Sequence, residues 1–281
     1  MLMPAVDTLT ETQLLTVVQI ALHAGQAIMP FYHQSTLDIE TKQDSTPLTA
    51  ADLASHHSIV NALTQQFPNI EVLSEESAEI GWETRQHWSC YWLIDPLDGT
   101  KEFIKRNGEF TVNIALIVDN VPIAGVVYAP ALGRCFFGMK DHGAWEFQQD
   151  SAKEPPSIDT ILNVRQPLKR LSEPRKAVIL ASRSHITPGL AGFLSEFKDF
   201  HLREVGSSLK MCLLASGEAD IYPRLGATHE WDIAAAHAIL SAAGGCVYLH
   251  NSHSPLRYNT KPELENPWFI AYRPGWIEDT P

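Results

Sequence analysis

The N-terminal part of the chain carries apolar residues at helical spacing. These residues are Leu14, Leu15, Val17, Val18, Ala21, Leu22, Gly25, Ile28 and Met29. Recurrence every three or four residues is typical of a helix with one buried face. The pattern predicts an amphipathic helix over about 11–32. A second helix is predicted over 50–67, with Thr49 as its cap and Pro68 at its end.

Short apolar runs alternate with turns along the rest of the chain, and they predict β-strands. In chain order, these runs are 72–73, 91–94, 111–118, 123–128, 177–180 and 219–222. Further helices are predicted near 189–197, 209–215 and 233–243. The chain has no internal repeat, and the pattern predicts a sheet with helices beside it.

A composition change in the middle of the chain predicts a domain boundary. Residues 148–175 contain few long apolar runs, and they include Pro155, Pro156, Pro167 and Pro174. Such segments are typical of connections between domains. We therefore expect an N-terminal α+β domain over 1–150 and a C-terminal α/β domain over 151–281.

Composition and charge exclude some classes of protein. With 281 residues, 44% of them hydrophobic, the chain can bury a sizeable core and is not disordered. Lysine and arginine total 21 against 33 aspartate and glutamate residues, which gives a formal charge of -12. This charge argues against a polymeric nucleic acid as partner, because such binding depends on basic residues that displace counterions.

Other sequence features bear on location. Asp7 and Glu11 precede the first apolar run and no basic segment comes before them, which argues against a secretory signal. No uninterrupted apolar run is long enough for a transmembrane segment. The cysteines are widely spaced and are interpreted as reduced structural thiols: Cys90, Cys135, Cys212 and Cys246. The expected compartment is the cytoplasm.

The strongest candidate for chemistry is the segment 91–100, in which Asp95 and Asp98 follow a buried run. Pro96 and Gly99 are expected to turn the chain, so that both carboxylates emerge at the end of the strand. Thr100 then begins a polar segment whose backbone N–H groups can hold a phosphate. Taken alone, Asp-Gly-Thr is more often an ordinary turn with a capping threonine.

Three further segments carry acids or hydroxyl groups: 44–52, 74–77 and 230–232. Each has an ordinary structural interpretation as the start of a helix. Ser74 followed by Glu75 is typical of a cap with favourable acids in the first turn. Asp232 precedes an alanine-rich helix, and Asp52 belongs to a similar helix start.

Together, these segments resemble the inositol monophosphatase superfamily of magnesium-dependent phosphatases. That family combines an E-E segment, a D-P-x-D-G-T turn and a W-D pair before a helix. Residues 93–116 are most similar to the bacterial CysQ type of 3'(2'),5'-bisphosphate nucleotidase. Further matches lie at 45–52, 73–77, 86–88, 125–130, 182–185, 206–210 and 222–224. One departure is Ala236, where the family commonly has glycine, and it is expected to alter helix packing and not ligation.

The resemblance implies a layered αβαβα sandwich and a site with two Mg²⁺ ions, with a third ion as an alternative. One ion would be held by Glu75, Asp95 and the carbonyl of Leu97, and the other by Asp95, Asp98 and Asp232. Oxygen ligands of this kind suit Mg²⁺. The resemblance also implies that Asp52 and Thr100 orient and help deprotonate the attacking water.

The same resemblance implies a set of substrate contacts. The residues are Glu75, Leu97, Asp98, Gly99, Thr100, His185, Ser207, Ser208, Lys210, Arg224 and Asp232. Ser207, Ser208 and Lys210 would form a second phosphate site. By sequence alone, a serine-capped core helix with a solvated lysine is the favoured interpretation of that segment. His185 would stack on adenine, although a lone histidine is more often a filler of the surface or core.

The implied activity is hydrolysis of the 3'-phosphate of adenosine 3',5'-bisphosphate, and also of 3'-phosphoadenylyl sulfate, with inhibition by Li⁺. The implied location is the cytoplasm, with peripheral attachment to the inner face of the inner membrane as an option. One alternative keeps the chemistry on inositol or sugar monophosphates, and the segments 101–113 and 207–210 argue against it. Another is a non-catalytic nucleotide sensor, which the complete set of ligands disfavours. No feature of the sequence specifies an oligomeric state.

Overall fold

The computed structural model describes residues 9–34, 39–41, 47–77, 79–168, 176–183 and 188–276, with no side chains for 39–41 and 47–49. The helices are α1 (Glu11–Tyr32), α2 (Ala50–Gln66), α3 (Trp82–Arg85), α4 (Thr100–Ile104), α5 (Ile158–Val164), α6 (Pro188–Leu194), α7 (Leu209–Ala215) and α8 (Glu230–Ala242). A single 3-10 turn, Glu75–Ser77, is also described.

The strands form three sheets. A short antiparallel pair joins β1 (Ile39–Thr41) and β2 (Pro47–Thr49). The first large sheet runs in the order β3 (Glu71–Ser74), β4 (Cys90–Asp98), β5 (Thr111–Val118), β6 (Val121–Ala129), β7 (Arg134–Met139), β8 (Gly143–Gln148) and β9 (Gln166–Pro167). The second runs in the order β11 (Phe200–Val205), β10 (Ala177–Ser182), β12 (Ile221–Arg224), β14 (Phe269–Tyr272) and β13 (Cys246–Leu249).

The first large sheet is covered on both faces, which explains its continuous apolar runs. Alternate residues of a strand point to opposite faces of the sheet. In β4, Trp92 and Ile94 accordingly join the core with α1 and α2, whereas Tyr91 and Leu93 join the core with α7 and α8. The sheet therefore separates two apolar layers.

The second core contains α7, α8 and one face of the second large sheet, through residues such as Leu180 and Phe269. The other face of that sheet packs Ile179 and Ile221 against Phe193 of α6. The layers are thus helices, sheet, helices, sheet and helix. This arrangement confirms the expected αβαβα sandwich.

Small residues allow α8 to lie close to the first large sheet. A Cβ atom at Gly125 of β6 would stand 2.2 Å from the carbonyl oxygen of Ala235. Ala236, the residue that replaces the family's usual glycine, is fully buried in the same core. Its methyl group lies in the core that contains α7 and α8.

The structure confirms the two long helices, since α1 and α2 begin at the expected residues. The predicted helix over 233–243 begins three residues earlier, at Glu230. The predicted strand over 219–222 lies at Ile221–Arg224 instead. The side chain of Thr49 lies outside the described residues. The division into 1–150 and 151–281 stays a prediction; β9 pairs with β8 as the last strand of the first large sheet.

Among the described residues, α1 has the length and apolar composition of a membrane span. However, 61% of its most apolar window is buried inside the fold. Its buried residues, including Leu15, Val18 and Ile28, pack in the core with the first large sheet. This packing is that of a core helix.

Candidate active site

The two acids of the strand-turn motif lie on β4, and an irregularity of that strand brings them together. Asp95 pairs with Asn113 and Asp98 pairs with Thr111, so three steps on β4 oppose two steps on β5. A residue and its third neighbour normally point to opposite faces of a strand, and the extra residue reverses this relation. Both carboxylates can therefore face the same site.

The expected turn at Pro96 is wrong, because β4 continues through this residue to Asp98. A proline can lie in a central strand where a bulge removes the need for its missing N–H group. The hydroxyl of Ser55 donates to the Pro96 carbonyl at 2.7 Å and ties the bulge to α2. The expected turn at Gly99 is confirmed, since its φ of +91° is left-handed and α4 begins at Thr100.

Two more acids reach the site from neighbouring elements. β3 runs parallel to β4 with Ser74 beside Ile94, so Glu75 and Asp95 follow at the same edge of the sheet. Asp232 lies in the first turn of α8, where its carboxylate accepts a hydrogen bond from the His229 backbone at 2.9 Å. Carboxylate oxygens of Asp95, Asp98 and Asp232 lie within 4.8 Å of one another.

This proximity raises the pKa values of the acids. Burial first, and then the charges of Glu75, Asp98, Asp232 and Asp52, hold the pKa of Asp95 well above its ordinary value. Burial and the neighbouring Asp232 raise the pKa of Asp98 to about 8. Burial raises the pKa of Asp232 to about 7, although its hydrogen bond from His229 opposes the shift. Burial and mutual repulsion therefore disfavour the ionised form of these acids when no cation is bound.

A hard divalent cation fits this cluster. Its donors are carboxylate oxygens at a spacing that a single ion can bridge, and oxygen is the ligand type that such cations prefer. The carbonyl-bearing Leu97 lines the same cavity, and its own N–H donates to Asp95 Oδ1 at 3.1 Å. The structure thus brings together Glu75 and the four other residues predicted as ligands, while the division of these residues between ions stays a prediction.

A cavity of about 290 Å³ adjoins the cluster. Most residues predicted to contact substrate line it: Glu75, Leu97, Asp98, Gly99, Thr100, Ser207, Lys210, Arg224 and Asp232. Two described residues predicted for the site, Asp52 and Ser208, are not among the lining residues. Asp52 is buried at the start of α2, close enough to Asp95 to affect its pKa. Ser208 directs its hydroxyl to Asn113 at 2.7 Å and lies near Thr111 at 3.1 Å. His185 lies outside the described residues.

Lys210 is buried, so the interpretation as a solvated lysine behind a serine cap is wrong. Its ammonium donates to the carbonyls of Val205 and Ser207 and lies 5.4 Å from the centre of the Tyr222 ring. Burial lowers the pKa of Lys210 to about 8, with the charge of Asp98 acting in the opposite direction. The hydroxyl of Ser208 does not cap α7.

Two polar atoms beside Lys210 have no hydrogen-bond partner within the described part of the chain. They are the buried Nε of Arg224 and the buried hydroxyl of Ser207. Buried donors are almost always paired with protein, water or ligand. The cavity therefore presents acids together with nearby cations and unpaired donors suited to an anion.

Sequence reasoning did not identify several other residues of the cavity. Tyr222 supplies an aromatic wall, and Ser182 lies at the carboxyl end of β10. Thr228 and His229 lie just before α8. Their position at the ends of strands or before a helix is the signal that points to such residues, because sites form at these edges in α/β folds.

Comparison with known proteins places this geometry in a family. The sequence pattern described as "Inositol monophosphatase family" matches residues 10–271. The 3'(2'),5'-bisphosphate nucleotidase CysQ of Escherichia coli (strain K12) is 44% identical over 254 residues, which cover 90% of this chain and 96% of that protein.

Solved structures give the same result. A crystal structure of CysQ from Bacteroides thetaiotaomicron, a bacterial member of the inositol monophosphatase family, has a TM-score of 0.84 and 39% identity, covering 94% of this chain and 97% of that one. An inositol monophosphatase from Anabaena has a TM-score of 0.72 and 25% identity, covering 96% and 93%. The match over nearly the whole sequence, together with the shared layers and the carboxylate cluster, establishes that this chain belongs to the inositol monophosphatase family.

Proposed function

We propose that this protein is a magnesium-dependent 3'(2'),5'-bisphosphate nucleotidase. It would hydrolyse the 3'-phosphate of adenosine 3',5'-bisphosphate to give AMP and phosphate, and would also act on 3'-phosphoadenylyl sulfate. The observation that carries the proposal is a cavity lined both by the carboxylate cluster, here called the carboxylate wall, and by Ser207 and the buried Lys210 and Arg224, here called the cationic wall. The activity named for the relatives at 44% identity supports it.

The carboxylate wall would hold two Mg²⁺ ions. Glu75, Asp95 and the Leu97 carbonyl would bind one, and Asp95, Asp98 and Asp232 the other. When bound, these ions supply Lewis acids that activate water and offset the charge of the transferring phosphoryl group. The carboxylates would hold the ions in place. Their attraction to the ions would offset the repulsion between the carboxylates.

The remaining residues of this wall would position the reacting groups. Thr100 would use its hydroxyl to orient the attacking water, and Asp52, through that hydroxyl, would accept the proton that the water loses, so that Thr100 ends with its hydroxyl intact. The backbone N–H groups at Gly99 and Thr100 would hold the phosphate that reacts. Both residues line the cavity at the start of α4.

The cationic wall would bind the phosphate that does not react. Lys210 and Arg224 are cations that line the cavity and can pair with a second phosphate. An inositol monophosphate has no second phosphate for this contact. The free hydroxyl of Ser207 can donate to the same phosphate. This wall therefore favours a bisphosphate over inositol or sugar monophosphates.

The location proposed is the cytoplasm. All four cysteines are unpaired, and two of them, Cys135 and Cys212, are buried. Free thiols are typical of proteins in reducing compartments.

Phosphate release measured before and after removal of divalent cations tests the proposal. Protein treated with a chelator should lose activity on adenosine 3',5'-bisphosphate and regain it on addition of Mg²⁺. Undiminished turnover after complete chelation would contradict the metal-dependent mechanism.

A further inference from the structure

Glu109 lies against two loops that both line the cavity. Its carbonyl oxygen would stand 3.1 Å from a Cβ atom at Gly99, on the carboxylate wall. The same oxygen would stand 2.9 Å from a Cβ atom at Gly206, on the cationic wall. Because both glycines lack that atom, the backbone of Glu109 packs directly against both loops.

The side chain of Glu109 strengthens this connection. Its Oε2 accepts a hydrogen bond from the Gly206 N–H at 2.7 Å. Nη2 of Arg183, just beyond the end of β10, lies 2.9 and 3.0 Å from the two carboxylate oxygens. The same nitrogen donates to the carbonyl of Glu204 in β11 at 3.3 Å. One carboxylate thus joins the first half of the chain to two strands of the second large sheet.

The turn held by this carboxylate is unfavourable by itself. Ser207 has a φ of +46°, a left-handed conformation that costs energy in residues other than glycine. Such a conformation persists where the surroundings determine it. The surroundings here are Glu109 on the side of Gly206, and Lys210, whose ammonium donates to the Ser207 carbonyl.

A shift of this turn would move both groups of the cationic wall that it carries. The unpaired hydroxyl belongs to Ser207 itself, and Lys210 is anchored to the Val205 and Ser207 carbonyls on either side of Gly206. The acids of the carboxylate wall are carried by other elements, β4 and α8.

We infer that Glu109 is a positioning residue that sets the preference for a bisphosphate, by fixing the Gly206–Ser207 turn against the loop that holds the reacting phosphate. This role rests on the proposed function, because it concerns the wall that binds the phosphate that does not react. Glu109 touches neither the cluster of acids nor the reacting atoms in this assignment.

Steady-state kinetics on two substrates test the inference. Glu109→Ala should raise KM for adenosine 3',5'-bisphosphate about tenfold, the usual effect of losing a charged hydrogen bond, with kcat within about threefold of the wild type. KM for inositol 1-phosphate should change by less than about threefold. Glu109→Gln keeps an acceptor for the Gly206 N–H and should recover most of the lost affinity.

A matched control removes a similar ion pair elsewhere. Glu146 pairs with Arg134 at 2.6 Å on the β7–β8 hairpin, and its side chain is 17% exposed compared with 21% for Glu109. Glu146→Ala should leave KM for both substrates unchanged. Calorimetry should also find the Mg²⁺ affinity of Glu109→Ala unchanged.

Three results would overturn the inference. The first is an equal rise in KM of Glu109→Ala for both substrates. The second is a parallel fall in its Mg²⁺ affinity. The third is a Glu109→Gln variant that is as impaired as Glu109→Ala. If the wild type itself uses both substrates equally, the proposed function fails and the inference with it. If the wild type prefers the bisphosphate but Glu109→Ala impairs the use of both substrates equally, only the inference fails.

Discussion

The charges of individual residues determine which ions this cavity can bind. Asp95, Asp98 and Asp232 hold their oxygens within 4.8 Å of one another, while Lys210 lines the same cavity with a pKa lowered to about 8 by burial. Acids that repel one another gain a cation more readily than isolated acids do. The cluster is therefore built for ion binding at some cost to the stability of the ion-free fold.

Asp98→Asn tests the role of one acid. The substitution removes a negative charge without changing the size of the side chain, so phosphate release should fall on the order of a hundredfold or more. The melting temperature should not fall, because repulsion in the cluster decreases. As a control, Asp141→Asn changes an exposed acid on the turn between β7 and β8. Wild-type turnover in Asp98→Asn would refute the assignment.

Thr100→Ala tests the orientation of water. Without the hydroxyl, the rate should fall on the order of a hundredfold, while Mg²⁺ binding measured by calorimetry stays close to that of the wild type. If the affinity for Mg²⁺ falls as far as the rate, Thr100 belongs to the metal site and not to water activation.

Lys210→Ala tests the cationic wall. The loss of a charge-assisted hydrogen bond should raise KM for adenosine 3',5'-bisphosphate by about tenfold to a hundredfold, with little change for inositol 1-phosphate. Lys140→Ala, an exposed lysine at the far end of β7, serves as the control. Equal effects of the two substitutions on KM would contradict the proposed phosphate contact.

The sequence identified the acids but not the environment of Lys210. Glu75, Asp95 and Asp98 follow apolar runs and Asp232 precedes an alanine-rich helix, but it was the resemblance to the family that assigned them as ligands. The burial of Lys210 depends on Val205 and Tyr222, which come from other strands. Local composition therefore favoured a solvated lysine.

At the level of elements, prediction succeeded where periodicity was long, but it missed several strands, including the buried β7 in the interior of the first large sheet. α1 and β5 follow their patterns closely. β11 was not predicted, because as an edge strand it exposes most of its side chains, and its polar composition resembles a loop. The bulge of β4 was not predicted either, because proline normally ends a central strand.

The proximity of Asp98 on β4 to Asp232 on α8 predicts that the stability of the ion-free protein depends on pH. The pKa of Asp98 is raised to about 8 and that of Asp232 to about 7, from an ordinary value of 3.8 in both cases. The folded, ion-free protein therefore binds more protons than the unfolded chain between pH 4 and 8, and its stability should fall as pH rises through this range.

Differential scanning calorimetry measures this effect. The ion-free protein should melt about 5 °C or more lower at pH 8.5 than at pH 6, and Mg²⁺ should raise the melting temperature more at pH 8.5. Asp98→Asn should reduce the difference between the two pH values. An ion-free protein that becomes more stable over the same range would contradict the assigned repulsion.

At the level of the whole molecule, the two large sheets supply different parts of the cavity. The first sheet contributes Asp95 and Asp98, whereas the second sheet and its loops contribute Ser207 and Arg224. The net charge of -12 opposes the approach of an anionic nucleotide. Bound cations and the cationic wall offset this repulsion locally, so selectivity depends on how the two halves meet.

The measurement that tests the central claim most directly is the ratio of kcat/KM for adenosine 3',5'-bisphosphate to kcat/KM for inositol 1-phosphate, with the wild-type protein in one Mg²⁺ buffer. Contacts to the second phosphate predict a ratio of at least about tenfold to a hundredfold in favour of the bisphosphate. A ratio near one would contradict the nucleotidase assignment and leave a phosphatase without preference for nucleotides.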